Sequence, residues 1–282
     1  MAGNFWQSSH FEQWIMEKND LARGRAEDMK IYTEEEYQRL MIFFANLMQQ
    51  IGTDNHLGKV RMQVIATACV YFKRFYIRRS FKDIDPFLLA PACLFLASKV
   101  EEHGMLSTNK LMTTVATIVK KMAFPMGELS MRVGFIHEAE FILLEILDCC
   151  LIVYQPYRPL RQLLQDLRDS NTFKDLGDLE QTAVKCVNDS LRTDVSLLYA
   201  PHIIAIGCLQ MAILLANREK EFTTWFAELT VYDVVQCLTS TYKQWKIVDE
   251  KEELKKLLDR LPKANPSPPQ GMAPPRAIPR YI

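Results

Sequence analysis

Asp85-Pro86-Phe87-Leu88-Leu89-Ala90-Pro91-Ala92-Cys93-Leu94-Phe95-Leu96-Ala97-Ser98-Lys99-Val100-Glu101-Glu102 is the stretch on which the fold turns. Asp-Pro opens a helix, with Pro86 at the first helical position. From Pro86 to Ser98 there are 13 residues without a charge. A helix that is apolar nearly all round belongs inside a core. This one ends abruptly in Lys99 and a pair of glutamates, so a buried element delivers a cation and carboxylates to one end. The pattern returns 115 residues downstream in Pro201-His202-Ile203-Ile204-Ala205-Ile206-Gly207-Cys208-Leu209-Gln210-Met211-Ala212. Counted from each Pro, Ala90 and Ala205 share a register, as do Cys93 and Cys208, Leu94 and Leu209, and Ala97 and Ala212. The alanines fall on one helix face, where they let neighbouring helices approach closely. A repeat of this length means two copies of a domain and not a solenoid.

Composition agrees with a folded two-domain chain. Of 282 residues, 49% are apolar, and 34 basic side chains balance 34 acidic ones. Zero net charge argues against a partner bound through a strongly basic face, such as nucleic acid. Met1 to His10 lacks a basic region followed by an apolar one, so no secretory leader is expected there. Seven cysteines without a C-x-x-C spacing, mostly inside apolar runs, read as buried thiols of a reducing compartment, cytosol or nucleus. Val195 to Asn217 carries no charge over 23 residues, which is long enough for a membrane span. It holds Pro201, His202 and Gln210, and its counterpart at 86–98 is too short to span, so it reads as a core helix.

Strand signals are almost absent, and the chain reads as all-α. Phe11, Trp14, Ile15 and Leu21 mark a separate N-terminal helix at about 9–24. Thr33 followed by Glu34-Glu35-Glu36 forms a capping box that opens a helix to about Gly52. Helices follow near 59–79, 86–102, 107–121 and 129–148. Tyr154-Gln155-Pro156-Tyr157-Arg158-Pro159 breaks the pattern as an interdomain linker. A second set is expected at about 157–168, 178–197, 201–217, 222–228 and 231–247, then a last helix at 249–260. From Pro262 onward there are seven prolines in 21 residues, a composition that reads as a disordered tail.

No catalytic constellation emerges. His137-Glu138-Ala139-Glu140-Phe141 begins like the zinc-protease H-E-x-x-H, but Phe141 stands where the second ligand belongs. There is no phosphate-binding glycine loop and no nucleophile elbow. Cys149-Cys150 reads as a pair of buried structural thiols. On spacing alone, Lys99 is a solvated helix end and Glu140 an exposed helix position. The default is a non-enzymatic interaction protein.

The segments Leu88–Glu102, Ala139–Leu147 and Tyr71-Phe72-Lys73-Arg74-Phe75 resemble, in turn, the third, fifth and second helices of the cyclin box. The chain is therefore identified as resembling the cyclin family over residues 1 to about 262. The resemblance implies two tandem five-helix boxes. These are placed here at 33–152 and at 153–261 with the final helix, behind an N-terminal helix within 1–32 and ahead of a Pro-rich tail at 262–282. It also implies that Lys99 and Glu140 contact a cyclin-dependent protein kinase, with Leu88 in the core. Met1–His10, Val64–Ala68, Val70–Tyr76 and Asp148–Tyr154 resemble the branch that serves the Mediator-associated kinase in transcription by RNA polymerase II. Lys73 fits that branch, because cell-cycle cyclins carry an Asp there. Arg39–Ala45 departs from the Arg-x-Leu docking patch of the cell-cycle members.

The expectation is a nuclear regulatory subunit that activates such a kinase and joins other subunits of the Mediator kinase module. No catalytic group, cofactor, metal, direct nucleic-acid contact or membrane contact is expected. Glu101 and Glu102 are expected to face the kinase as well, because carboxylates at a helix C-terminus oppose the dipole and call for an outside cation. The aromatics Phe5, Trp6, Phe11 and Trp14 concentrate in a short, otherwise polar segment, and Trp6 and Trp14 are expected at the partner interface. The alternatives are the cyclin of another transcriptional kinase and a cyclin-fold general transcription factor binding DNA.

Overall fold

The computed structural model describes residues 3–122, 133–169, 176–220, 222, 232–248 and 251–262. Among these every regular element is helical and no strand occurs. The helices are α1 (Ser9–Trp14), α2 (Lys18–Gly24), α3 (Glu34–Thr53), α4 (Met62–Arg78), α5 (Pro86–Val100), α6 (Thr108–Met122), α7 (Val133–Ile146), α8 (Tyr157–Asp169), α9 (Gly177–Ser190), α10 (Val195–Leu198), α11 (Pro201–Leu215), α12 (Tyr232–Val248) and α13 (Lys251–Asp259). The tail beyond Pro262, residues 129–132, and the helix expected at 222–228 apart from Phe222 lie outside the described residues. The chain forms two compact units. One is built from the residues up to Val153 together with those from Gln244 onward, the other from Tyr154–Lys243.

In the first unit α5 is the central helix, packed against α3, α4, α6 and α7. Its side chains at Ala90, Ala92, Cys93, Leu94 and Ala97 are wholly shielded from solvent. Asp85 caps it by accepting a hydrogen bond from the Phe87 amide at 2.8 Å. Around it lies an aromatic core in which Phe44, Phe72, Tyr76 and Phe81 pack ring against ring, Phe72 on Tyr76 at 4.9 Å and Tyr76 on Phe81 at 4.5 Å. The polar tips are satisfied locally: the Tyr76 hydroxyl donates to the Ile84 carbonyl at 2.8 Å, and Tyr71 to that of Leu151 at 2.5 Å. Leu88 sits at the rim of this core, half-buried.

In the second unit α11 plays the part of α5, packed on α8 and α9. Ala205, Cys208, Leu209 and Ala212 are fully buried. Gly207 allows a close approach, since a Cβ there would lie 2.5 Å from a Val234 methyl. The two helices also end alike. After α5, the amides of Glu101, Glu102 and His103 bond the carbonyls of Ala97, Lys99 and Ser98; after α11, those of Ala216, Asn217 and Arg218 bond the carbonyls of Ala212, Leu214 and Ile213. Glu102 (φ 50°) and Asn217 (φ 53°) each take the left-handed conformation that closes a helix C-terminus. The sequence repeat is thus a repeat of start, buried face and stop.

Three expectations are corrected here. The N-terminal helix of 9–24 is two helices, because the chain is extended between them at Ile15 and Glu17. Trp14 and Met16 are both buried, at 0% and 6% exposure. On one helix they would lie about 200° apart, whereas in an extended segment side chains two apart share a side. The helix at 178–197 breaks after Ser190, where the Thr193 hydroxyl accepts from the Val195 amide at 3.3 Å and starts α10 afresh. Finally, Cys69, Cys93, Cys186 and Cys208 are buried thiols, but Cys149 is exposed and Cys150 and Cys237 are half-buried. Asp148 and Cys149 have φ of 51° and 53°, which ends α7 and turns the pair outward.

Thr33 makes the expected capping box: its hydroxyl accepts from the Glu36 amide at 3.3 Å, and the Glu36 carboxylate accepts from the Thr33 amide at 2.9 Å. The other Glu36 oxygen receives Arg260, just beyond α13, at 2.6 Å. Arg260 also bonds the Ile31 carbonyl and lies over the Tyr32 ring, 4.9 Å from its centroid, so α13 is fastened to α3. The Arg260 hydrogen bond holds the Glu36 carboxyl below its usual range. A carboxyl with a lowered folded-state pKa contributes stability above its unfolded pKa and loses it as pH falls through the folded one. Arg260→Gln is therefore expected to lower the melting temperature at pH 7 by about 1–4 °C, the size of a partly exposed pair of up to about 1 kcal/mol. The gap should shrink as pH falls below the ordinary glutamate range, where the unfolded chain takes up the proton before the clamped carboxyl does. A gap that calorimetry finds unchanged between pH 7 and pH 3.5 would refute the ionic clamp.

Candidate functional site

The end of α5 and the middle of α7 lie side by side, and this brings Lys99 and Glu140 together. The Lys99 ammonium donates to both carboxylate oxygens of Glu140, at 2.7 and 2.9 Å. It also sits over the Phe95 ring, 4.0 Å from the centroid. His137, one turn before Glu140 on α7, places Nδ1 3.8 Å from the same carboxylate and its ring edge-on to Phe95 at 5.3 Å. Glu140 is buried, not the exposed helix position that its spacing alone suggests, while the Lys99 side chain keeps 37% exposure. The result is a fixed, half-desolvated charge pair standing on an aromatic ring at the surface. Phe141, the next residue, is 72% exposed, and Ile152 beyond the end of α7 is 60% exposed. An exposed aromatic ring on the residue next to Glu140, beside a rigid ionic pair, suits a protein partner. Sequence reading passes over Phe141 and Ile152 because an apolar residue in an apolar run signals core.

Glu101 does not need an outside cation. Its carboxylate accepts from the Thr67 hydroxyl and the Gln63 amide, each at 2.6 Å. Arg61 donates to the Glu101 carbonyl at 2.6 Å. Glu101 thereby clasps α5 to α4. Glu102, one residue on, is exposed and held at positive φ, its amide bonded to the Lys99 carbonyl at 3.2 Å. Only glycine adopts that conformation freely, and non-glycine residues kept there cluster at functional sites.

The two tryptophans separate. Trp6 is 55% exposed and forms a triangle of edge-on rings with Phe5 and Phe11, at centroid distances of 5.2 Å to Phe5 and 5.0 Å to Phe11. Phe5 and Phe11 complete the triangle at 5.5 Å. Trp14 is not at the surface. Its ring is fully buried between two guanidiniums of α4, Arg74 at 4.8 Å and Arg78 at 4.2 Å. It braces the first unit and cannot touch a partner in this arrangement, which corrects its expected place at the interface. Among the described residues no group of three His, Cys, Asp or Glu side chains has metal-site geometry, and no helix is long and apolar enough to cross a membrane.

Two repeated helical units, a buried central helix in each, and a charge pair where α5 meets α7 define the class. The cyclin N-terminal domain model matches residues 25–152 and the cyclin C-terminal domain model residues 155–261. The chain belongs to the cyclin family. Within it, Cyclin-C of Drosophila melanogaster is 50% identical over 275 residues, spanning 95% of this chain and 99% of that protein. Cyclin-C of Rattus norvegicus is 47% identical over 276 residues, spanning 95% and 93%. Among solved structures, a chain of the CAK complex of Chaetomium thermophilum bound to ATP-gamma-S matches with a TM-score of 0.64 at 21% identity, over 92% of this chain and 88% of that one. A chain of the yeast TFIIK (Kin28/Ccl1/Tfb3) complex matches with a TM-score of 0.59 at 24% identity, over 89% and 100%. At these identities the structural likeness carries the fold.

Proposed function

We propose that this cyclin is the regulatory subunit of a transcriptional cyclin-dependent kinase, of the type associated with Mediator. It binds the kinase through the surface where α5 and α7 meet, contributes no catalytic group, and acts in the nucleus beside other subunits of the Mediator kinase module. The observation that carries this reading is the Lys99–Glu140 pair, buried on the glutamate side, with the exposed Phe141 ring on the next residue. The likeness to relatives named Cyclin-C supports the choice of kinase.

The mechanism is positional. Docking against α5 and α7 holds the kinase's regulatory helix inward, so that the kinase can form its own Lys–Glu ion pair on the nucleotide phosphates. Lys99 and Glu140 supply a preset, mutually neutralised pair of hydrogen-bonding groups, and Phe141 and Ile152 supply apolar area. Glu102 is placed to meet a basic residue of the kinase activation segment. The Trp6 triangle extends the surface and favours one kinase over its relatives.

Phe141→Ala tests the apolar part. Because the ring is exposed, the substitution should leave the melting temperature within about 1 °C of wild type. Kinase affinity should fall about tenfold or more, as for a central aromatic of an interface. Unchanged affinity in a surface-immobilised binding assay would remove α7 from the docking face.

A further inference from the structure

Cys149, which is exposed, and Cys150, which is half-buried, take no part in the proposed docking surface, and their surroundings are unusual. Cys150 Sγ donates to Gln13 Oε1 of α1 at 3.2 Å, tying the N-terminal segment to the end of α7. The Cys150 carbonyl accepts from Arg74 Nη1 at 3.2 Å. Arg74 is fully buried, and among the described residues its Nε and Nη2 have no hydrogen-bond partner. Arg78 nearby is paired with Asp148 and the Ile146 carbonyl. Arg74 forms no ion pair among the described residues; burial pulls its guanidinium pKa down to about 9, and the ionisable groups that favour its charge are the Tyr71 hydroxyl and the Cys150 thiol. A fixed positive charge without a carboxylate, a sulfur that solvent can reach, and a second thiol on the adjacent residue make up the setting in which cysteine oxidation concentrates.

We propose that Cys149–Cys150 is a redox modification site, in which a hydroperoxide oxidises Cys150 and Cys149 then closes a disulfide with it. In the first step the Cys150 sulfur attacks the peroxide. A sulfur–oxygen bond forms, the oxygen–oxygen bond breaks, sulfur loses two electrons, and the thiol proton leaves with the departing oxygen as water or an alcohol. In the second step the Cys149 sulfur displaces the sulfenic hydroxyl, which leaves as water with the Cys149 proton. Either product removes the S–H that Cys150 donates to Gln13, so oxidation loosens the hold of the first unit on α1.

The test uses the full chain and hydrogen peroxide. Free thiols are blocked with N-ethylmaleimide at timed intervals, and each cysteine is followed by peptide mass spectrometry. Half-buried Cys237 is the internal reference, since it has no adjacent thiol. Cys150 should be lost about tenfold faster than Cys237. The wild-type peptide should then lose two hydrogens, and Cys149→Ser should instead accumulate a dimedone adduct at Cys150. Trypsin should cut oxidised protein faster after Lys18 or Arg23, and dithiothreitol should restore the slower rate. Loss of Cys150 no faster than Cys237, or a dimedone adduct in Cys150→Ser as abundant at Cys149, would overturn the site. Disulfide formation with unaltered tryptic cleavage would overturn its link to α1.

Discussion

Lys99→Glu is expected to weaken binding of the cyclin-dependent kinase by about 30-fold to several thousand-fold, the 2–5 kcal/mol that follows when one partner of a desolvated charge pair at an interface is lost. That substitution also sets two carboxylates against each other, so part of its effect falls on the cyclin itself. The companion variant, Lys99→Glu with Glu140→Lys, restores an ion pair across the same 2.7 Å contact with its polarity reversed. The melting temperature of the double variant should return to within about 2 °C of wild type, because the intrachain attraction is regained. Kinase affinity should stay low, because the donors and acceptors offered to the kinase are exchanged. Full recovery of affinity in the double variant would make the pair a purely internal brace and would move the docking surface elsewhere.

Trp14→Ala carries the second large effect. The indole is 0% exposed, and Arg74 and Arg78 lie against it. Its removal leaves a cavity and takes the aromatic face from two buried cations. A buried Trp cut to Ala costs about 3–5 kcal/mol. For a chain of this size that corresponds to a fall of about 6–20 °C in melting temperature. Trp6→Ala, by contrast, should leave the melting temperature nearly unchanged and lower kinase affinity, since Trp6 is half in solvent. The two tryptophans lie eight residues apart, so the contrast separates bracing from recognition within one short segment. A drop of less than about 2 °C for Trp14→Ala by differential scanning calorimetry would contradict the brace.

The fold could be read from the chain wherever one physical pattern dominated a whole element. The charge-free run from Pro86 to Ser98 reads as a buried helix, and the run from Pro201 reads as its copy. Matching stops at Glu102 and Asn217 show that the copies agree even where their residues differ. The Thr33 capping box also formed as its spacing requires. Legibility failed where local helical pattern met a tertiary demand. Residues 9–24 look like one amphipathic helix, yet Trp14 and Met16 must both enter the core, and extended backbone between α1 and α2 is the geometry that allows it.

The candidate site was legible in part for a similar reason. Lys99 and Glu140 stand 41 residues apart. Neither is distinctive alone, and only the family resemblance put them together. The helix dipole alone asks for a cation at Glu101, but α4 carries Thr67 and Gln63 to its carboxylate, and only the fold brings those donors there. Phe141 and Ile152 escaped because hydrophobicity in a sequence does not say which face of a helix is left uncovered. That Cys149 is exposed and Cys150 only half-buried depends on two consecutive residues at positive φ, and nothing in the residue types at 148 and 149 requires that turn.

The central claim is that this cyclin activates a transcriptional kinase by binding through the end of α5 and the middle of α7. The most direct measurement is the phosphorylation rate of a Mediator-associated cyclin-dependent kinase, purified alone, titrated with wild-type cyclin and with the Lys99→Glu, Glu140→Lys variant. The expected result is a saturable rise in rate with the wild type, and a titration shifted to about 30-fold higher concentration or more with the folded variant. A kinase rate indifferent to the wild-type cyclin, or identical titrations for the two proteins, would contradict it.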